Sequence, residues 1–208
     1  MRNSKQLANA LYEINAIQIR PDRSFVWTSG IHSPIYCDNR LTMSFPTIRR
    51  QIAEQFAALI QDKGEKPDVI AGCATAGIPH AAWLAEYLNV PMVYVRSKPK
   101  GHGKENQIEG KIEPGDKVIV IEDLISTGGS AIDSSLVLKK AGADVLGVFA
   151  IFSYGLEKAA ENFRKANLSY ATITNFDVLS EALVENKEIT EEQKQDLIAW
   201  RDQLGNDG

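Results

Sequence analysis

The chain has 208 residues, 44% of them apolar, with 23 Lys and Arg against 27 Asp and Glu for a net charge of −4. This length and composition support one domain with a full core and exclude an intrinsically disordered chain. The acidic balance argues against a nucleic-acid partner and favours small or uncharged ones, while no apolar run approaches the length of a membrane span.

The opening MRNSKQLANALYE lacks the apolar core of a signal peptide, so the chain reads as cytoplasmic with no membrane partner. Ser4 is placed to cap a first helix that carries Leu7, Leu11 and Ile14 on one face. FVWTSG and SPIYCD have the Gly, Ser and Pro punctuation of a hairpin, and residues 1–45 read as a small hood or appendage on a core over 46–208. Ser44 and Pro46 open a helix striped by Ile48, Ile52, Phe56 and Leu59, which Gly64 and Pro67 stop.

Five apolar runs follow: DVIAG from Asp68, PMVYV from Pro91, KVIVIED from Lys117, DVLGVFAIF from Asp144 and SYATIT from Ser169. Helical patterns GIPHAAWLAEYL, GSAIDSSLVLKKAG and LEKAAENFRKAN fill three of the gaps. Runs apolar on both faces and alternating with helices predict a doubly wound α/β fold on a parallel sheet, with a ligand beyond the carboxyl ends of the strands. A last helix opens with a capping box, Thr190 and Gln193, and places Leu197, Trp200 and Leu204 on one side. Trp200 reads as its anchor. His80 shares a face with Trp83 and Tyr87 and reads as packed, His32 as a surface residue, and the two cysteines, Cys37 and Cys73, as buried thiols.

The segment VIVIEDLISTGGS, Val118 to Ser130, carries the most chemistry. A buried strand ends in Glu122 and Asp123 and leads through Leu124 and Ile125 into Ser126, Thr127, Gly128, Gly129 and Ser130, which open a helix. Glycines admit close approach, hydroxyls donate, and free N–H groups at a helix start favour an anion, so this loop is a phosphate cradle. Carboxylates repel phosphate and must face sugar hydroxyls or a divalent cation; a sugar phosphate satisfies both halves. Neither G-x-x-x-x-G-K-[ST] nor G-x-G-x-x-G after a strand occurs.

The same segment resembles the phosphoribosyl pyrophosphate (PRPP) signature of the type I phosphoribosyltransferases. The resemblance implies that Glu122 and Asp123 contact the ribose hydroxyls and that Ser126 to Ser130 hold the 5′-phosphate.

Between Arg96 and Lys117 runs RSKPKGHGKENQIEGKIEPGD, a connection of about twenty residues with lid chemistry. Arg96, Lys98, Lys100 and Lys104 give +4 with no acid before Glu105, and Gly101, Gly103 and Gly110 supply mobility. Removing that +4 from the net −4 leaves −8 on the remaining residues, so the acidic average conceals a cationic lid suited to an anionic substrate.

The pattern R-x-x-x-K-x-H-G followed by I-E-G is similar to the catalytic loop of the orotate phosphoribosyltransferases. By that match Arg96, Lys100 and His102 bind pyrophosphate, and the lid reaches a neighbouring subunit's site in a homodimer. Thr75, Ala76 and Gly77 correspond to the family's pyrophosphate loop, Tyr36 to an aromatic packed on the orotate ring, and Ser126 to a contact with orotate. Tyr154 stands where the family has an arginine for the orotate carboxylate.

The resemblance further implies Mg²⁺ held through PRPP and not by protein ligands, with Lys100, His102 and Asp123 as the catalytic set. The implied reaction joins PRPP and orotate into orotidine 5′-monophosphate and pyrophosphate, a step of pyrimidine biosynthesis. A purine phosphoribosyltransferase and a non-catalytic PRPP-sensing regulator are the alternatives.

Overall fold

The computed structural model describes residues 2–22, 24–26, 32–98 and 107–204. Helix α1 (Arg2–Glu13) comes first, and Ser4 lies inside it, not at its cap. Strands β1 (Ile17–Ile19), β2 (Phe25–Val26), β3 (His32–Ser33) and β4 (Ile35–Cys37) make two small antiparallel sheets, β1 with β4 and β2 with β3. Of the hairpin expected between FVWTSG and SPIYCD, Phe25–Val26 does turn back, onto His32–Ser33, but Ile35–Cys37 pairs with β1 instead. The β1–β4 ladder, Ile17↔Cys37 to Ile19↔Ile35, is an addition to the sequence reading. By sequence α1 falls within the 1–45 hood, yet Leu7 and Leu11 are fully buried in the same core as the main sheet.

A 3-10 helix (Asn39–Ser44) leads into α2 (Pro46–Asp62). Ser44 ends the first and caps nothing; Phe45 occupies the cap position without a side-chain bond, and Pro46 at the first helical position begins α2. The main sheet is then built from β5 (Val69–Cys73), β6 (Met92–Val95), β7 (Ile108–Glu109), β8 (Lys117–Ile125), β9 (Asp144–Ser153) and β10 (Tyr170–Asn175). They lie in the order β10-β9-β8-β5-β6-β7, all parallel except β7, which pairs antiparallel with β6. The antiparallel edge strand adds to the parallel sheet that the sequence predicts and gives the carboxyl-terminal part of the lid connection a structure.

Helices α3 (Gly77–Leu88), α4 (Gly129–Lys140), α5 (Glu157–Lys165), α6 (Phe176–Glu185) and α7 (Glu191–Leu204) complete the chain. Strand residues divide with period two between the sheet faces. Ile70, Ile119, Ile121, Phe149 and Ile151 pack with residues of α1, α2, α3, α6 and α7. Val69, Ala71, Val118, Val120, Val148 and Ala150 pack with Ala131 and Leu138 of α4 and Ala159 and Phe163 of α5.

Covering both faces is what the apolar runs required. The chain proceeds from β5 to β6 in one direction and from β8 to β9 and β10 in the other, so the winding reverses between β5 and β8. That reversal opens a crevice at their carboxyl ends. The capping box is reciprocal: the Thr190 N–H donates to Gln193 Oε1 at 2.8 Å and the Gln193 N–H to Thr190 Oγ1 at 3.1 Å.

Candidate active site

The two acids do not terminate β8. The strand continues through Leu124↔Phe152 and Ile125↔Ser153, so Glu122 and Asp123 are held by backbone pairing on both sides. Glu122 is buried and accepts the Asp123 N–H at 3.0 Å. Burial, then the adjacent Asp123, pushes the Glu122 carboxyl up to about 8, and burial raises Asp123 as well. Two carboxylates out of water in one strand favour sharing a proton until a cation or hydroxyl donors stabilise the charge.

Ser126, Thr127 and Gly128 follow as a bend, and Gly128 takes φ +84° at the cap position of α4. No side chain caps that helix; the Ile132 N–H is satisfied by the Gly128 carbonyl at 3.0 Å, while Gly129, Ser130 and Ala131 precede any intrahelical acceptor. Their N–H groups and the positive end of α4 suit an anion. Two contacts fix the bend from behind. Asn162 Nδ2 donates to the Thr127 carbonyl at 3.0 Å, and a Cβ at Gly128 would stand 2.5 Å from the Phe163 ring.

Beside it, β5 ends in Cys73 and turns through Ala74, Thr75 and Ala76 into α3, again without a side-chain cap. Gly77 has a structural reason to be glycine, because a Cβ there would collide with the Ile121 carbonyl of β8. The missing side chain lets α3 start directly against the acid strand. The two uncapped helix starts therefore flank the crevice from adjacent strands.

The hood bounds the same crevice. Tyr36 is 40% exposed and packs against Phe25 at 5.8 Å between ring centroids, and the Arg20 guanidinium lies over the Phe25 ring 4.7 Å from its centroid. Beyond Tyr36, Asn39 donates its Nδ2 to the Asp123 carbonyl at 2.7 Å. Tyr154 is buried, and its hydroxyl is raised by burial and by the nearby Cys37, Asp123 and Tyr36. Both cysteines are free thiols whose pKa burial pushes up.

At the root of the lid, the Arg96 N–H donates to the Gln107 carbonyl at 2.8 Å and Gln107 Nε2 returns a bond to the Arg96 carbonyl at 3.0 Å. Arg96 Nη1 is 3.6 Å from Glu109. Lys100, His102 and Lys104 lie outside the described residues.

The predicted residues of β8, the Ser126–Ser130 loop and the Thr75–Gly77 turn thus meet at one crevice. Asn39 and Asn162 are not among the predicted residues, and each reaches the site through a contact remote in sequence. Among the described residues no group of three or more His, Cys, Asp or Glu side chains is arranged to hold a metal ion. Glu122 and Asp123 make a pair, suited to a cation that brings further ligands of its own. A separate concavity between α1 and α6, bounded by Lys5, Asn9, Asp177 and Glu181, contains none of the predicted residues.

The family model for the phosphoribosyl transferase domain matches residues 44–178. The orotate phosphoribosyltransferase of Oceanobacillus iheyensis is 56% identical over 201 residues, covering 97% of this chain and all of that one. The crystal structure of orotate phosphoribosyltransferase from Aeropyrum pernix superposes with a TM-score of 0.75 at 29% identity, over 85% of this chain and 97% of that one. Leishmania donovani UMP synthase superposes at 0.79 and 29% identity; 95% of this chain is covered but only 42% of that longer one.

Proposed function

The chain belongs to the phosphoribosyltransferase family, within its orotate phosphoribosyltransferase branch, and on that premise we propose that it transfers the 5-phosphoribosyl group of PRPP to orotate. The observation that carries the proposal is the pairing, at one switch point, of a buried acid pair with an uncapped helix start. A sugar phosphate needs both, and a bare nucleobase or an inorganic anion needs only one of them.

Glu122 and Asp123 hold the ribose hydroxyls. The N–H groups of Gly129, Ser130 and Ala131, with the hydroxyls of Ser126, Thr127 and Ser130, hold the 5′-phosphate. The Thr75–Gly77 turn and the lid residues Arg96, Lys100 and His102 receive pyrophosphate. Tyr36 packs on the orotate ring, and Ser126 contacts it.

As the bond from ribose C1 to pyrophosphate breaks, its electron pair leaves with the pyrophosphate and C1 gains positive character. A ring nitrogen of orotate then forms the new C1–N bond and gives up its N–H proton, which passes to the departing pyrophosphate or to solvent. The protein orients the two reactants and stabilises the charge that moves between them, with no need for a side-chain nucleophile. Magnesium, carried on PRPP and not held by protein ligands, would neutralise part of the pyrophosphate charge. We place the enzyme in the cytoplasm as a homodimer, each lid serving the neighbouring site. Two free thiols are in keeping with a reducing compartment.

The test is consumption of orotate dependent on both PRPP and Mg²⁺, with uracil, adenine and hypoxanthine as competitors. Turnover with orotate alone among the four is expected; a folded protein that consumes adenine or hypoxanthine instead would move it to the purine enzymes. PRPP binding without any turnover would favour the regulator.

A further inference from the structure

We propose that Asn39 is a positioning residue for Asp123, held by a buried hydrogen-bonded chain that runs from His80 through Thr42. The inference rests on the reading of Asp123 as a ribose contact.

Every member is buried: Asn39 and Thr42 are fully enclosed and His80 is 1% exposed. Asn39 Nδ2 donates to the Asp123 carbonyl at 2.7 Å across 84 residues of sequence. Thr42 Oγ1 lies 2.6 Å from the Asn39 carbonyl and 3.3 Å from His80 Nε2. The direction of the chain follows from counting protons. A carbonyl only accepts, so the single hydroxyl proton of Thr42 goes to Asn39, and Thr42 must accept from His80. His80 is therefore the Nε2–H tautomer, leaving Nδ1 as a bare acceptor, and Nδ1 indeed has no partner among the described residues. An unpaired buried acceptor costs less than an unpaired N–H, so the geometry selects this tautomer twice over.

The chain ties three elements that are remote in sequence: α3, the 3-10 helix and β8. Both of its ends make further contacts. Asp38 caps the 3-10 helix by accepting the Arg40 N–H at 3.1 Å and takes the Arg40 guanidinium on both carboxylate oxygens, at 2.6 and 2.9 Å. At the other end, the His80 ring is packed edge-on to Trp83 at 5.4 Å. Asn39 is thus pressed against the strand at the residue beside Glu122.

Tyr36, three residues upstream, is held separately by the β1–β4 ladder through Gln18↔Tyr36. Loosening the chain should move the ribose side of the crevice and leave the orotate side in place. That split separates positioning from a general weakening of the fold.

Thr42→Val is nearly isosteric and removes the hydroxyl; Thr42→Ser keeps it; Asn39→Ala removes the bond to Asp123 outright. Steady-state kinetics on the full chain should show the KM for PRPP raised about fivefold in Thr42→Val and about tenfold in Asn39→Ala, corresponding to one lost or misaligned hydrogen bond. The KM for orotate should stay within about twofold, and Thr42→Ser should return the PRPP value to within about twofold of the wild type.

An unchanged KM for PRPP in a folded Thr42→Val overturns the proposal, as do equal rises in both KM values and equal effects of Val and Ser. If Asn39→Ala does not fold, the Thr42 pair decides alone. A wild-type protein without turnover would instead remove the functional reading, a distinct outcome from an active wild type with indifferent variants.

Discussion

Burying an acid pair in a strand leaves a signature in the pH dependence of stability. Burial and Asp123 raise the Glu122 carboxyl from 4.5 to about 8. Between those values the folded chain keeps a proton that the unfolded chain has released. Glu122 therefore contributes stability that is complete below pH 4.5 and is lost as pH rises through about 8. His80 works in the opposite sense, since burial lowers it from 6.5 to about 4; its contribution is present above 6.5 and lost as pH falls through 4. The two offset one another at mildly acid pH, and above 6.5 only Glu122 remains in transition.

From pH 6.5 to pH 8.5 the linkage relation gives a loss of roughly 2 kcal/mol from Glu122. Glu122→Gln abolishes that titration while its amide oxygen still accepts the Asp123 N–H. Urea unfolding of both proteins at several pH values across this interval should show a gap in stability that widens by about 2 kcal/mol in favour of the variant. Burial, the largest cause of their raised pKa, keeps both thiols protonated in the fold across this interval, so their ionisation in the unfolded chain cancels in the difference. A gap that stays constant with pH, or one that widens against the variant, would refute the assignment of a raised Glu122. Turnover of the variant should fall, since the amide replaces a carboxylate that accepts from ribose.

Three further outcomes test other parts of the structure. Gly128→Ala should lose about 2–4 kcal/mol by urea unfolding, from the positive φ and the collision with Phe163, and Phe163→Leu in the same chain should recover part of it; strict additivity would mean the ring is not the obstacle. Thr190→Ala should cost about 1 kcal/mol by removing one half of a reciprocal cap, and no change would mean the start of α7 is held by Leu197 and Trp200 alone. Lys100→Ala should lower kcat about tenfold or more with a thermal midpoint unchanged, if the lid stabilises the departing pyrophosphate; equal turnover removes Lys100 from the chemistry.

The parts of the fold that were legible are those in which one local rule has no competitor. Val118 to Ile121 and Val148 to Ile151 are apolar at every position, which only a strand covered on both faces tolerates, and Thr190 with Gln193 can serve each other only at a helix start. Elements were lost where two rules met. Helix α6 begins at Phe176 immediately after β10, with Asn175 both ending the strand and capping the helix through its bond to the Val178 N–H, so no loop residue separates the two periods. Strand β7 is two residues long and owes its existence to β6, through Tyr94↔Glu109 and Val95↔Ile108. No property of Ile108 and Glu109 taken alone specifies it.

The candidate site divides along the same line. Glu122, Asp123 and the Ser126–Ser130 loop are contiguous, so the sequence itself displays their juxtaposition, and only the end of the strand differs, by two residues, because pairing carries it past the charges to Ile125. Asn39 belongs to the site by a contact across 84 residues. Such a contact has no local period or motif, and what creates it is the reversal of winding between β5 and β8, which brings the exit of the hood over the acid strand. A crevice at a switch point is assembled from whatever the neighbouring connections present there. Its strand-borne half is therefore written in a motif, while its hood-borne half depends on how α3, the 3-10 helix and β8 pack. The Thr42 and Asn39 variants probe that second half, which no motif in this chain encodes.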